Sequence, residues 1–207
     1  MLFINKYLAL NCTRYPDDTL DRLWYTEKTG PTNQTSLMIV DRLADSLPLP
    51  VVQTSYAAPT AAGFFVNFTD GLDTTTSYYY YLALFFAEID PRVNASGLRV
   101  FDVTINESPF YPGYDVYAEV GQYTVSEIYS SRQLGPYTDH VLINFTSTPT
   151  SVYPPFISAA EILQLFDNPM VPTTSSVDSK LLCFHELVET IAEMVRGHRV
   201  PIVSSLL

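Results

Sequence analysis

Short apolar segments separated by turn residues make up most of the first 166 residues. They are bounded by Pro, Asn, Asp and Gly, the pattern of β-strands joined by turns. The clearest candidates are SLMIV (36–40), PVVQTSY (50–56), GFFVNFTDG (63–71), LRVFDVTIN (98–106) and TDHVLINFT (138–146). The last two alternate apolar and polar positions, as half-buried strands do. This spacing predicts an all-β fold, a β-sandwich of the jelly-roll kind.

One segment differs from the others because it is apolar without interruption. SYYYYLALFFAEID (77–90) is continuously apolar from Tyr78 and stops at Asp90-Pro91. A strand with that composition is typically covered on both faces. We therefore predict that it lies at the centre of the sandwich.

The pattern changes to helical spacing after Pro172. One stripe holds Leu181, Phe184, Leu187, Val188, Ile191, Met194 and Val195, and glutamates occupy the opposite face. This predicts a C-terminal amphipathic helix near residues 179–196, either packed on the body or docking on a partner. The predicted division is a lead-in over residues 1–13, a β-sandwich module over 14–166, and a linker with a helical tail over 167–207.

Composition and charge exclude several classes of protein. The 207 residues are 47% hydrophobic, enough for one domain with a sizeable core. Twenty-two acidic and eleven basic residues give a net charge of −11, which would repel a nucleic-acid backbone. The two cysteines, Cys12 and Cys183, are too few for a disulfide framework or a cysteine-based zinc site. Whether they pair is left open.

Asparagine usage is the most specific compositional signal. Six of the eight asparagines begin the glycosylation acceptor pattern N-x-[ST], namely Asn11, Asn33, Asn67, Asn94, Asn106 and Asn144. Chance would place only about one or two there, so the excess indicates the secretory pathway; a Thr-rich chain with accidental acceptors is the alternative. No signal peptide is readable and no apolar run of about 20 residues is present. We expect a piece of a larger secreted or membrane-tethered protein.

Motifs of catalysis are absent from the sequence. There is no G-x-S-x-G elbow, P-loop or kinase signature, and HELVE (185–189) lacks the second histidine of a zinc protease. Glu88 and Asp90 lie two apart on a predicted strand, which leaves a glycosidase pair as a minor alternative to acids at a solvated turn edge. The sequence thus predicts no enzyme, no cofactor and no metal site.

The stretch TRYPDDTLDRLW (13–24) has the densest motif. It contains Arg14, Tyr15, Pro16, Asp17, Asp18, Asp21, Arg22 and Trp24. It is followed in order by PVVQTSY, FFAEID, RVFDVTIN and PPFISAAEI (154–162). This ordered set resembles the malectin-like region of plant receptor-like kinases of the leucine-rich-repeat type, and in particular the second half of its tandem. The resemblance covers residue 14 to about residue 166.

The resemblance implies an extracellular, carbohydrate-binding-like β-sandwich module without catalysis, on the outer side of the plasma membrane or secreted. In that setting TRYPDDTLDRLW is interpreted as a structural knot rather than a ligand contact. Pro16 would fix the chain direction, and Asp17 and Asp18 would accept turn N–H groups. Arg22 would pair with a nearby acid while Trp24 packs.

Three tyrosines are the candidate ligand contacts. Tyr111, Tyr114 and Tyr117 lie in ESPFYPGYDVYAEV (107–120), a segment whose prolines and glycine predict an exposed loop; the alternative is tyrosines half-buried on the rim. The expected partner is a cell-wall carbohydrate or a secreted basic peptide, with a possible co-receptor. The acid excess disfavours pectic polyanions. A receptor spacer without a ligand is the competing function.

Overall fold

The computed structural model describes residues 2–9, 18, 22, 24–26, 32–44, 46–68 and 76–166. The strands in these ranges are β1 (Leu2–Ala9), β2 (Trp24–Thr26), β3 (Thr32–Gln34), β4 (Thr54–Ala57), β5 (Phe64–Phe68), β6 (Tyr78–Ala87), β7 (Phe101–Ile105), β8 (Ser108–Tyr114), β9 (Val125–Tyr129), β10 (Leu134–Tyr137), β11 (Val141–Ser147), β12 (Phe156–Ile157) and β13 (Ala159–Phe166). Two short helices accompany them, α1 (Leu49–Val52) and α2 (Val116–Val120). The prediction of an all-β fold is confirmed.

The strands form three sheets. The six-stranded sheet runs β10-β6-β13-β1-β2, with β9 also pairing β6, and the four-stranded sheet runs β5-β11-β7-β8. A three-stranded sheet, β12-β4-β3, accompanies them. Inward side chains of the first two sheets belong to one apolar cluster, which makes the body a β-sandwich.

Strand β6 provides the centre of the core. Tyr80, Leu82, Leu84 and Phe86 alternate inward and are buried. The Phe86 ring contacts aromatic rings from other strands, with centroids 5.7 Å from Phe101, 5.1 Å from Tyr114, 6.3 Å from Phe145 and 5.8 Å from Phe156. Aromatic pairs at such distances add to the area they bury. The core is therefore organised around Phe86.

The other face of β6 is covered only at its C-terminal end. Phe85 and Ala87 are buried in a second apolar cluster that includes Trp24 and Val51, whereas Tyr79 at the start of the strand is exposed. The prediction of a strand covered on both faces is thus right for one half of β6. Among the described residues, Trp24 and the buried valines of α1 share a cluster with Phe85 and Ala87, which lie in that half.

Two predicted strands differ in the structure. Residues 36–40 form no strand and make only an isolated bridge, Val40 to Thr124, while the strand lies earlier at Thr32–Gln34. Residues 50–52 belong to α1, where Gln53 N donates to the Leu49 carbonyl. A proline in the first helical turn costs no hydrogen bond, so Pro50 fits α1 as well as it fits a strand boundary.

The predicted C-terminal helix, Cys12 and Cys183 lie outside the described residues, and the domain boundaries stay a prediction. Among the described helices, none is long and apolar enough to cross a membrane.

Candidate functional site

Three residues of the TRYPDDTLDRLW stretch form a buried cluster. Asp18 Oδ2 accepts hydrogen bonds from Arg22 Nε at 2.8 Å and from Trp24 Nε1 at 2.6 Å. The Arg22 guanidinium also donates to the Ser46 carbonyl and lies 5.3 Å from the Trp24 ring centroid. The Trp24 ring meets Phe85 of β6 edge to face. These contacts connect the start of the module to the second apolar cluster.

Burial leaves Asp18, Arg22 and Trp24 no surface for a ligand. The geometry accords with a structural role for these three residues. Arg14, Tyr15, Pro16, Asp17 and Asp21 lie outside the described residues.

A second buried cluster lies where β6 ends. Arg99 Nη1 is 3.3 Å from Glu88 Oε2, and Arg99 Nη2 is 3.3 Å from Asp90 Oδ2. The Arg92 guanidinium donates two hydrogen bonds to the same Asp90 carboxylate, of 2.9 and 2.7 Å. The Arg99 guanidinium also lies 4.7 Å from the Phe156 ring centroid. The sequence-based interpretation of Glu88 and Asp90 as acids at a solvated turn edge is wrong, because both side chains are buried. The positive charge of Arg99, eleven residues after Glu88, offsets the cost of burying them.

The two carboxyls respond oppositely to this environment. Burial raises the pKa of Glu88 from 4.5 to about 7, against the attraction of Arg99. Hydrogen bonds from Arg92 hold the pKa of Asp90 below its usual value, and burial lowers the pKa of Arg99. A substrate could not reach Glu88, which is 1% exposed. The cluster is suited to holding the chain together rather than to transferring protons.

The stability of the fold should depend on the protonation of Glu88. Between about pH 4.5 and pH 7 the folded protein keeps a proton on Glu88 that the unfolded chain has lost, so the free energy of unfolding falls as pH rises through this window. The expected loss is on the order of 2–3 kcal/mol. Urea denaturation of the wild type and Glu88→Gln at pH 5 and pH 7.5 measures it. In Glu88→Gln, most of the difference between the free energies of unfolding at pH 5 and pH 7.5 should disappear. If the difference is the same as in the wild type, Glu88 is not the group responsible. Glu119→Gln, at an exposed position, is the control.

The predicted tyrosine loop is a strand. Ser108–Tyr114 forms β8 at the edge of the four-stranded sheet, pairing with β7. An edge strand tolerates Pro109 and Pro112 because one side of its backbone needs no ladder hydrogen bonds. The loop expectation is therefore wrong, and the prolines instead protect an open sheet edge.

The three candidate tyrosines have different surroundings. Tyr114 is 2% exposed, and its hydroxyl donates to Ser126 Oγ at 2.7 Å. Its burial, which also raises its pKa, removes it from the candidate contacts. Tyr111 is 39% exposed and meets the Tyr114 ring edge to face at 5.0 Å. Tyr117 is half-buried on α2. A ligand-binding role for Tyr111 and Tyr117 stays a prediction.

Acidic side chains lie beside these tyrosines. Asp115 caps α2 by accepting from Ala118 N at 3.0 Å and also accepts from Gly97 N at 2.6 Å. Glu119 is exposed on the same helix, and both Glu119 and Tyr111 lie close enough to Tyr114 to raise its pKa further. We call Tyr111, Asp115, Tyr117 and Glu119 the acidic tyrosine rim.

The acids of this rim were missed from the sequence, although a signal was present. Between Arg99 and Arg132 the chain has no lysine or arginine and has five acids: Asp102, Glu107, Asp115, Glu119 and Glu127. Such a segment predicts a local negative potential around whichever surface it forms.

A surface cleft of about 550 Å³ adjoins the rim. Residues 118–121 of α2 and its C-terminal end, residues 124–127, and Arg42 with Leu43 line it. Glu119 and Glu127 give the cleft two carboxylates and Arg42 gives it one cation. Within the described ranges, no group of three or more His, Cys, Asp or Glu side chains is placed to hold a metal ion.

The glycosylation acceptors are distributed unevenly. Asn94 is exposed in the 91–97 loop, while Asn33, Asn67 and Asn144 lie on strands and are partly exposed. Asn106 occupies the β7–β8 turn at φ 43°, where its side chain bonds the Leu142 N–H and the His140 carbonyl. Asn11 lies outside the described residues. Occupancy of all six stays a prediction.

These features define a β-sandwich with two buried ionic clusters and an acidic aromatic rim. The malectin-like domain family matches residues 3–165. The chain belongs to that family.

The chain is similar to part of plant receptor-like kinases. A receptor-like protein kinase of Arabidopsis thaliana is 30% identical over 162 residues, which are 77% of this chain and 17% of the relative. The chain thus spans under a fifth of that relative's length. The crystal structure of the plant peptide RALF23 in complex with FER and LLG2 matches with a TM-score of 0.65 and 18% identity, over 80% of this chain and 50% of that one.

A bacterial enzyme shares the fold as well. Bacteroides uniformis β-glucuronidase 2 matches with a TM-score of 0.59 and 13% identity, over 79% of this chain and 18% of the enzyme. At that identity the likeness shows the sandwich fold alone.

Proposed function

We propose that this chain is an extracellular module of a plant cell-surface receptor and that it binds a secreted basic peptide at the acidic tyrosine rim. The observation that carries the proposal is the rim itself, where the exposed side chains of Tyr111 and Glu119 both lie close to Tyr114. Aromatic faces and carboxylates are the two groups that bind lysine and arginine side chains.

The charge of the whole chain supports the same partner class. A net charge of −11 favours the approach of a cation and disfavours acidic wall polymers. The FER structure, in which a peptide and LLG2 are bound, supports a peptide ligand and a co-receptor as partners for this member of the family.

The proposal predicts a salt-sensitive interaction. A peptide of about ten residues rich in lysine and arginine should bind the chain, and its affinity should fall about tenfold when ionic strength rises from low to physiological values. Tyr111→Ala, Tyr117→Ala and Glu119→Gln should each weaken binding about three- to tenfold. Isothermal titration at two salt concentrations measures both effects.

A matched control is available in Tyr79. Its exposed fraction of 40% is close to the 39% of Tyr111, but it lies on the six-stranded sheet. Tyr79→Ala should leave the affinity unchanged. Equal losses at Tyr79 and Tyr111, or binding of a glutamate-rich peptide as tightly as the basic one, would contradict the rim as the site.

A neutral cell-wall oligosaccharide is the second candidate ligand, favoured by the cleft that Glu119 of the rim helps to line. It would bind weakly and without salt dependence, because stacking area rather than charge would hold it. Titration with a neutral glucan oligosaccharide separates the two. If neither the peptide nor the oligosaccharide binds measurably, a role as a spacer within the receptor is favoured.

A further inference from the structure

The outer face of the four-stranded sheet has an exposed aromatic side chain, Phe65. In β5, Val66 and Phe68 point inward and are buried, so Phe65 points outward and is 54% exposed. Successive side chains of a strand alternate between its faces, so Asn67 shares the outer face with Phe65. Both residues lie on a strand at the edge of the sheet as far as the described strands go, because β5 is the first strand in the order β5-β11-β7-β8.

The register places a glycosylation acceptor directly beside this ring. Asn144 of β11 is the cross-strand partner of Phe65, and Leu142 is the partner of Asn67. Residues opposite each other in an antiparallel pair have Cβ atoms about 4.5–5.5 Å apart on one face. Asn144 begins Asn-Phe-Thr and Asn67 also begins Asn-Phe-Thr. Two acceptors therefore flank one exposed aromatic ring.

Apart from Leu142 and Pro109, the other paired residues of this face are polar. Asn144 is paired on its other side with Thr104, and Thr146 with Asp102. A protein-binding surface is usually built around a larger cluster of apolar side chains. The described residues of β5, β11 and β7 on this face offer only Phe65 and Leu142 among amides, hydroxyls and the Asp102 carboxylate. A sugar suits that composition, because a pyranose has an apolar C–H face to lay on a ring and hydroxyls to meet polar neighbours.

We propose that the N-linked glycan of Asn144 packs its first sugars on the Phe65 ring, so that Phe65 is the protein's contact for its own glycan. The outer face of the four-stranded sheet is then a glycan-covered face, and the rim at the β8 side of the same sheet remains the surface for partners. The proposal rests on passage through the secretory pathway, which is part of the proposed function, and is independent of peptide binding.

The test is a double-mutant cycle on the full chain secreted from plant cells. Asn144→Gln and Phe65→Ala are made singly and together, and the melting temperature is measured for each. If the glycan packs on Phe65, loss of either partner removes the same contact, so the double variant should melt no more than about 1 °C below the less stable single variant. The expected loss for Asn144→Gln alone is about 2–4 °C.

Peptide mass mapping shows whether Asn144 carries a glycan, and a second exposed aromatic residue serves as the control for additivity. Tyr129→Ala removes an aromatic side chain that is 64% exposed on β9, and its effect should add to that of Asn144→Gln. Additive losses for Phe65 and Asn144, an unglycosylated Asn144 in a chain glycosylated elsewhere, or coupling of Phe65 to Asn67→Gln instead would each overturn the proposal. Absence of glycan at every acceptor would additionally contradict the extracellular location. None of these outcomes bears on whether the basic peptide binds, which the titrations test separately.

Discussion

Replacing Arg99 by methionine is expected to lower the free energy of unfolding by about 3–5 kcal/mol. Arg99 is 3% exposed and is the buried cation within 3.3 Å of both Glu88 and Asp90. Its removal leaves Glu88 in an apolar site without its cation, and methionine replaces the volume but not the charge. Chemical denaturation at pH 7.5, where Glu88 is mostly ionised, should show the full loss.

The same carboxylate offers a matched control. Arg92 also pairs with Asp90, at 2.7 Å, but its side chain is 66% exposed. Exposed ion pairs contribute about 0–1 kcal/mol because water and salt screen them. Arg92→Met should therefore lower the free energy of unfolding far less than Arg99→Met does. Similar losses for the two variants would show that burial is not the origin of the effect.

Asp18→Ala is expected to cost a similar amount, about 3–5 kcal/mol, for a related reason. Asp18 Oδ2 is the acceptor for both Arg22 Nε and Trp24 Nε1. Without it, a buried guanidinium loses its counter-charge and a buried indole loses a hydrogen bond. The loss of that charge exceeds the effect of the small cavity left behind.

Thermal and urea denaturation of Asp18→Ala measures this effect. Asp139→Ala is the control, because the Asp139 side chain is 65% exposed beside His140 and its loss should change the free energy of unfolding by less than about 0.5 kcal/mol. A variant at Asp18 that is as stable as the wild type but fails to bind the basic peptide would reverse the interpretation of TRYPDDTLDRLW as structural.

The sequence predicted some of the strands whose residues face the main core, namely β5, β6, β7 and β11, but it did not predict β9, β12 and β13, which face the same core. Strands β6, β7 and β11 were found because alternation or continuous apolarity reports directly on burial. Helix α1 was missed because four residues containing a proline carry no periodicity, and β8 was taken for a loop because Pro109 and Pro112 are compatible with both structures. Local pattern does not distinguish an edge strand from an extended loop.

The ionic and aromatic sites depend on contacts distant in sequence. Burial of Glu88 requires Arg99, which the sequence presents only as one of eleven scattered basic residues. Tyr114 is buried because β8 turns it onto Phe86 and Phe101, whereas Tyr111, three residues earlier, stays exposed. The same residue type in one short segment therefore has two roles, which only the sheet register separates.

Hydrogen–deuterium exchange of the chain with and without the basic peptide tests the central claim most directly. Binding at the acidic tyrosine rim predicts slower amide exchange in the segment from Tyr111 to Gly121 and in the cleft residues 124–127, with no change in β5 and β11. The effect should disappear in Glu119→Gln combined with Tyr111→Ala. Slower exchange confined to the six-stranded sheet or to β5 and β11, with the rim unchanged, would contradict the account.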